Sequence, residues 1–204
     1  MGHAGAAAAA VRYLGAAPGP GPVEAHPRPE LRCVREDERA PLDQAEFRRV
    51  LGNFASGVTV ITAPPAEGSA SPAGFACQSF SSLSLDPPLV CFLVGRTSTT
   101  WPRIARAGVF CVNVLGAGQG ELCRSFAVSG ADKFAGVSYD AAPVSGAPRL
   151  AGTVAWIDCA VHAVHTGGDH LIVVGRVDAL GTAEGAPGSP LLFHRGRFAG
   201  LGDG

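Results

Sequence analysis

The chain has 204 residues, 47% of them hydrophobic, with a formal net charge of -1 and a pI near 6.6. That length and apolar content suit one well-buried core, and scattered Lys and Arg without a basic run exclude nucleic acid and anionic membrane surfaces as expected partners. No apolar run is long enough to cross a bilayer as a helix, and the alanine run at the start has no basic segment before it and meets Arg12 almost at once, so a cytoplasmic protein without a signal peptide is expected.

Residues 1–40 are Ala, Gly, Pro and charge, a composition that buries too little surface to offset ordering, so a disordered tail is expected before a domain over 41–204. Asp43 and Glu46 have capping-box spacing, and Phe47, Val50, Leu51 and Phe54 repeat at helical spacing. This predicts a helix that packs on the core and stops at Gly57. Residues 57–63 then read as a buried strand, and the proline-rich turn at 64–69 returns the chain as an antiparallel neighbour.

The neighbour is the stretch 74–94, GFACQSFSSLSLDPPLVCFLV. Its apolar positions Phe75, Cys77, Phe80, Leu83 and Leu85 change step twice, whereas a regular strand repeats every second residue. A bulge or a break is predicted. Gln78, Ser79, Ser81, Ser82 and Ser84 fall there, small donors and acceptors that suit a flat, polar-edged ligand or a solvated strand face. Asp86, Pro87 and Pro88 turn the chain into a buried strand over 88–94.

After that strand a hydroxyl-rich loop, Ser98, Thr99 and Thr100, runs into a helix with Thr100 as N-cap and Pro102 in its first turn. Hydroxyls, backbone N–H groups and Arg96 or Arg103 at a helix start describe either an anion site, most simply for phosphate, or an ordinary capped helix. Residues 109–115 form a further buried strand, followed by GAGQG and a short helix. The third glycine of a dinucleotide fingerprint would fall on Glu121, and no second βαβ unit follows, so a Rossmann domain is not expected. Lys133 beside Phe134 either screens a phosphate or is a surface lysine.

Residues 152–165 alternate as a long strand, 166–170 form a hairpin turn, and LIVVGRVDAL is the partner strand. Asp169 can orient His170 at the mouth of this hairpin. A short last strand over 191–195 carries His194. Cys33, Cys77, Cys91, Cys111, Cys123 and Cys159 contain no C-x-x-C pair and read as reduced thiols, mostly buried, while His162 and His165, three apart on a strand, face opposite ways, so no metal site is expected. There is no G-x-S-x-G elbow for a hydrolase. Few short helices and many antiparallel hairpins give a mainly β fold, a single barrel with a few packed helices.

In this order and spacing, FRRVLGNFASGVTVITA, GFACQSFSSLSLDPPLVCFLV, FCVNVL, DKFAGV, GGDH and PLLFHRGRF resemble the flavin reductase family, short-chain NAD(P)H:flavin oxidoreductases that serve two-component monooxygenases. The resemblance spans residues 42–201 and implies a split β-barrel, usually a homodimer. It implies FMN or FAD along Ala76, Cys77, Gln78, Ser79 and Phe80, with Ser82 and Leu83, at the ring and ribityl chain. Ser98, Thr99 and Thr100 would meet the phosphate, the DKF motif contributes Lys133 and Phe134, and His170 would line the nicotinamide site for NADH or NADPH. His194 stands where relatives commonly have tyrosine. A partner monooxygenase is implied, and the alternative is a flavin-binding barrel that acts as a store or sensor.

Overall fold

The computed structural model describes residues 42–66, 71–130, 132–182 and 188–201; the expected tail over 1–40, Cys33 and part of the 64–69 turn lie outside them. The described helices are α1 (Gln44–Leu51), α2 (Trp101–Ala107) and α3 (Gly120–Ala127). The strands are β1 (Ser56–Gly57), β2 (Thr59–Ala63), β3 (Ala73–Cys77), β4 (Ser81–Leu85), β5 (Pro88–Gly95), β6 (Val109–Val114), β7 (Tyr139–Ala141), β8 (Pro148–Leu150), β9 (Ala155–Gly167), β10 (His170–Thr182), β11 (Leu192–His194) and β12 (Arg197–Ala199). The fold is mainly β with a few short helices, as expected.

Seven strands form one sheet in the order β3-β2-β6-β9-β10-β5-β4, every neighbouring pair antiparallel. Because β6 leads through α3 to antiparallel partners, no βαβ unit is built from the glycine turn. At the far side β3 comes back against β5, so the sheet curls toward closure in the manner of a split barrel. The expected return of the chain after β2 is the β2–β3 pair, Thr59 opposite Cys77 and Ala63 opposite Ala73.

Strand β2 is buried along its whole length because both of its faces are covered. Ile61 and Ala63 belong to the barrel interior with Phe92, Phe110 and Trp101. Val60, on the other face, packs with Leu115, Cys123 and Phe126 beneath α3. Inside, Phe92 meets Phe110 edge-on at 5.3 Å and Trp101 at 6.2 Å, the arrangement aromatic quadrupoles favour.

Three expectations are corrected. First, α1 ends at Leu51 with Gly52 as its cap, before Gly57, and it buries none of its residues. Its apolar face does not meet the core: Phe54 is 80% exposed. Second, Asp43 caps α1 by accepting from Ala45 and Glu46 N–H, but Glu46 bonds Arg49 instead of reaching back, so the capping box is not closed. Third, Thr100 stands at the N-cap of α2 but its hydroxyl does not cap; Ser98 Oγ accepts the Trp101 N–H at 3.2 Å instead. The β7–β8 hairpin and β12 were not foreseen, since three-residue strands, β7 exposed throughout, show no alternation to read.

Candidate active site

The break predicted in the central stretch is real. Pairing of β3 with β2 ends at Cys77 and pairing of β4 with β5 begins at Ser81, leaving Gln78, Ser79 and Phe80 outside either ladder. A further register shift falls between Ser82 and Ser84. Ser79 bridges the gap: its Oγ accepts from Leu93 N–H at 2.9 Å and donates to Leu93 C=O at 3.1 Å. The hydroxyl thereby stands in for a peptide group, with Cys77 Sγ 3.3 Å away. Burial pushes the Cys77 thiol up, more than its bond to Ser79 lowers it.

Beside this break lies a cavity of about 570 Å³, within the range of small-molecule sites. Ala76, Cys77, Gln78, Ser79, Ser98 and His170 line it, with Phe75, Val94, Phe193 and Phe198 as apolar walls. His170 pairs with Gly95 at the end of the β5–β10 ladder, and its Nδ1 is 2.8 Å from Asp169 Oδ1. That bond holds the Asp169 carboxyl below its ordinary value. The lip is tied further by Arg96 N–H donating to Asp169 C=O at 3.0 Å.

A second cavity of about 480 Å³ is lined by Gly74 and Thr99, the chain neighbours of Phe75 and Ser98 in the first. Thr99, Thr100, Arg103, Lys133 and Phe134 line it. Arg103 Nη2 donates to Ser71 C=O at 2.7 Å and Pro72 C=O at 3.0 Å, and Lys133 Nζ donates to Phe126 C=O at 3.0 Å and Gly74 C=O at 3.2 Å. Lys133 is thus not a solvated surface lysine. Burial, and after it the charge of Arg103, depresses its ammonium. Gly74 is required here because a Cβ would lie 2.7 Å from the Phe126 ring.

Phe80, Ser82 and Leu83 line neither cavity. Phe80 packs against the barrel interior, and Ser82 and Leu83 are exposed on β4. Nor does Arg96 reach either cavity. Sequence reasoning missed Arg124, Phe193 and Phe198 as wall residues. Phe198 sits in a strand too short to announce itself, although the PLLFHRGRF motif contains it. Arg124 lies 5.1 Å over the Phe198 ring from α3, a placement no local pattern encodes.

Two cavities with chain-neighbouring lining, one walled by aromatics at a strand break and one lined by Arg103, Lys133 and Asp132, suit a ligand with a flat ring and a phosphate tail. The comparisons agree with this class. A flavin reductase like domain matches residues 51–202, and the chain belongs to that family. It is an NAD(P)H:flavin oxidoreductase, 47% identical to a flavin reductase of Pseudomonas putida over 170 residues, which are 83% of this chain and 97% of that one. Over 160 residues, 78% of this chain and 79% of the relative, it is 47% identical to the reductase subunit of a flavin-dependent monooxygenase from Rhodococcus jostii. Among solved structures, the NADH:FAD oxidoreductase of Streptomyces globisporus in complex with NAD and FAD fragments superposes with a TM-score of 0.72 at 38% identity, covering 80% of this chain and 98% of that one.

Proposed function

We propose that the ring cavity and the cation-lined cavity together bind FMN or FAD, and that the chain reduces this flavin with NADH or NADPH for a partner monooxygenase. The observation that carries the reading is the meeting of Ala76, Cys77, Gln78, Ser79, Ser98 and His170 on one cavity with Thr99, Thr100, Lys133 and Phe134 on the next. When bound, the flavin supplies the acceptor, at N5, for a hydride from nicotinamide C4. The protein's part is placement and the exclusion of water.

Phe75, Val94, Phe193 and Phe198 exclude solvent from the stacked rings, while Gln78 supplies a polar edge. Arg103 and Lys133 line the second cavity together with Asp132, and the two cations offer an anionic phosphate charge-assisted bonds there. His170, held by Asp169, closes the nicotinamide side at the lip. Phe80 within the strand break, and Ser82 and Leu83 just beyond it on β4, lie off both cavities and shape the ring's bed through the break.

The chain acts as a homodimer, a reading supported by Leu83, Leu85, Leu93 and Leu180, exposed on β4, β5 and β10. A cytoplasmic setting is supported by free thiols at Cys77, Cys91, Cys111, Cys123 and Cys159. Among the described residues no helix is long and apolar enough to cross a membrane.

The deciding experiment follows 340 nm absorbance with NADH and NADPH against free FMN and FAD. Oxidation of nicotinamide that depends on added flavin is expected. A protein that holds yellow flavin tightly and is not bleached by either nicotinamide is a store or sensor, and the reductase reading fails.

A further inference from the structure

A cavity of about 590 Å³, larger than either of those described above, shares no lining residue with them. The β7–β8 hairpin gives it Tyr139, Asp140 and Arg149, and the paired ends of β9 and β10 give it Trp156 and Thr182.

Its walls are set before any ligand arrives. Leu150 N–H donates to the buried Asn113 Oδ1 at 2.7 Å, Thr153 Oγ1 donates to Leu150 C=O at 3.1 Å, and Gln119 Nε2 donates to Ala151 C=O at 2.9 Å. The hairpin and the turn after it are thereby pinned to β6 and to the start of α3. Trp156 lies against β10 where Gly181 leaves room, since a Cβ there would be 2.7 Å from the indole. Arg149 covers that indole with its guanidinium carbon 4.8 Å from the ring centre, within cation–π range. The same guanidinium bonds Asp140 through Nε at 2.7 Å and Nη2 at 2.6 Å. Held by one face and one edge, it is a fixed plate.

The plate decides what fits. Asp140 and Arg149 are the only charged residues in the lining, and they neutralise each other, so a charged ligand gains from one and loses to the other. Their fork uses two of the five guanidinium N–H groups and leaves acceptor capacity on the carboxylate. The remaining guanidinium N–H groups have no partner among the described residues. A donor and an acceptor therefore stand side by side at the end of the pair. Guanidinium planes stack on flat π-systems, and a neighbouring donor and acceptor match an edge on which N–H stands beside C=O.

We propose that this cavity is a second ligand site, for a flat, uncharged heterocycle with N–H beside C=O, its ring on the Arg149 plate and its edge on the Arg149–Asp140 pair. That edge belongs to free aromatic lactams and to the pyrimidine ring of a flavin. The site shares no residue with the ring cavity and stands whether or not flavin is reduced there.

The test is a calorimetric titration of the full chain with 2-quinolone, with 1-methyl-2-quinolone, which keeps the ring and loses the N–H, and with riboflavin, which carries no phosphate. Wild type should take up 2-quinolone at one equivalent and bind the methylated ring about tenfold more weakly, as for one lost bond to a charged group. Arg149→Lys keeps the charge and loses the plane and the fork, and should weaken 2-quinolone about tenfold. Asp140→Asn should weaken it about fivefold, and because an exposed pair adds little stability this variant should melt close to wild type, which separates lost binding from lost folding. Riboflavin uptake that both variants reduce by one equivalent assigns the site to a flavin, whereas riboflavin uptake indifferent to both assigns it to free lactams. Equal affinity for the two quinolones overturns the proposal. So does 2-quinolone binding that neither variant weakens, which would put the ring elsewhere, and so does a wild type that binds no 2-quinolone.

Discussion

Ser79 Oγ is bonded to both the N–H and the C=O of Leu93, at 2.9 and 3.1 Å, across the gap where β3 has left its ladder and β4 has not yet joined the next. The side chain completes the sheet locally and frees the chain at Gln78 to bend along the ring cavity. Ser79→Ala should cost about 1 kcal/mol of stability through the two lost bonds. It should weaken flavin binding more than that, because the bend loses its anchor. Urea unfolding and a fluorescence titration with FMN would check this, and unchanged flavin affinity would assign Ser79 to folding alone.

At the lip, His170 and Asp169 are both exposed, so their pairing adds little stability and its use is orientation. His170→Ala should raise the nicotinamide KM or lower kcat about tenfold, equal to about 1.4 kcal/mol, with flavin affinity retained. Asp169→Asn should do less, since it leaves the imidazole in place. Stopped-flow flavin reduction over a range of NADH concentrations separates binding from transfer.

Gly74 links packing to the second cavity, the one proposed for the phosphate. An alanine there would drive its methyl into the Phe126 ring and disturb the carbonyl that accepts from Lys133. Overpacking of this kind costs about 1–3 kcal/mol. Gly74→Ala should therefore lower the melting temperature, and inorganic phosphate should protect the variant less than it protects wild type.

On the β7–β8 hairpin, Arg149 bonds Asp140 at 2.6 and 2.7 Å and holds that carboxyl below its ordinary 3.8. A carboxyl depressed in the folded state contributes fully above the unfolded value and loses the contribution as pH falls through the folded one. Asp140 is exposed and Arg149 half-buried, so about 0.5 kcal/mol is expected. Asp140→Asn should be slightly less stable than wild type at pH 7, and the difference should shrink as pH falls below the ordinary 3.8 and through the lowered folded value. Parallel denaturation curves at pH 7 and pH 2.5 would reveal it.

The barrel strands were legible because their periods are local: β5 and the long β9–β10 pair alternate, and Gly168 and Asp169 mark the turn between them. The break at Gln78 was legible for the same reason, as a slip in that period. What was not legible depends on partners distant in sequence. Nothing near Phe47 or Phe54 says that their side would lie open, because a helical apolar stripe looks alike whether its cover is the same core or something else. Likewise Phe198 and Arg124 reach the ring cavity from separate elements, and three-residue strands carry too few positions to show a period.

Strands β9 and β10 run for thirteen residues each, so the turn bearing His170 is the tip of a stiff arm rooted in the barrel. Geometry at that tip is inherited from the ladder, while the identity of the few residues on it is constrained by nothing in the interior. The face proposed to meet the electron donor can therefore be rewritten by a handful of exchanges, and the bed proposed for the acceptor would not register the change.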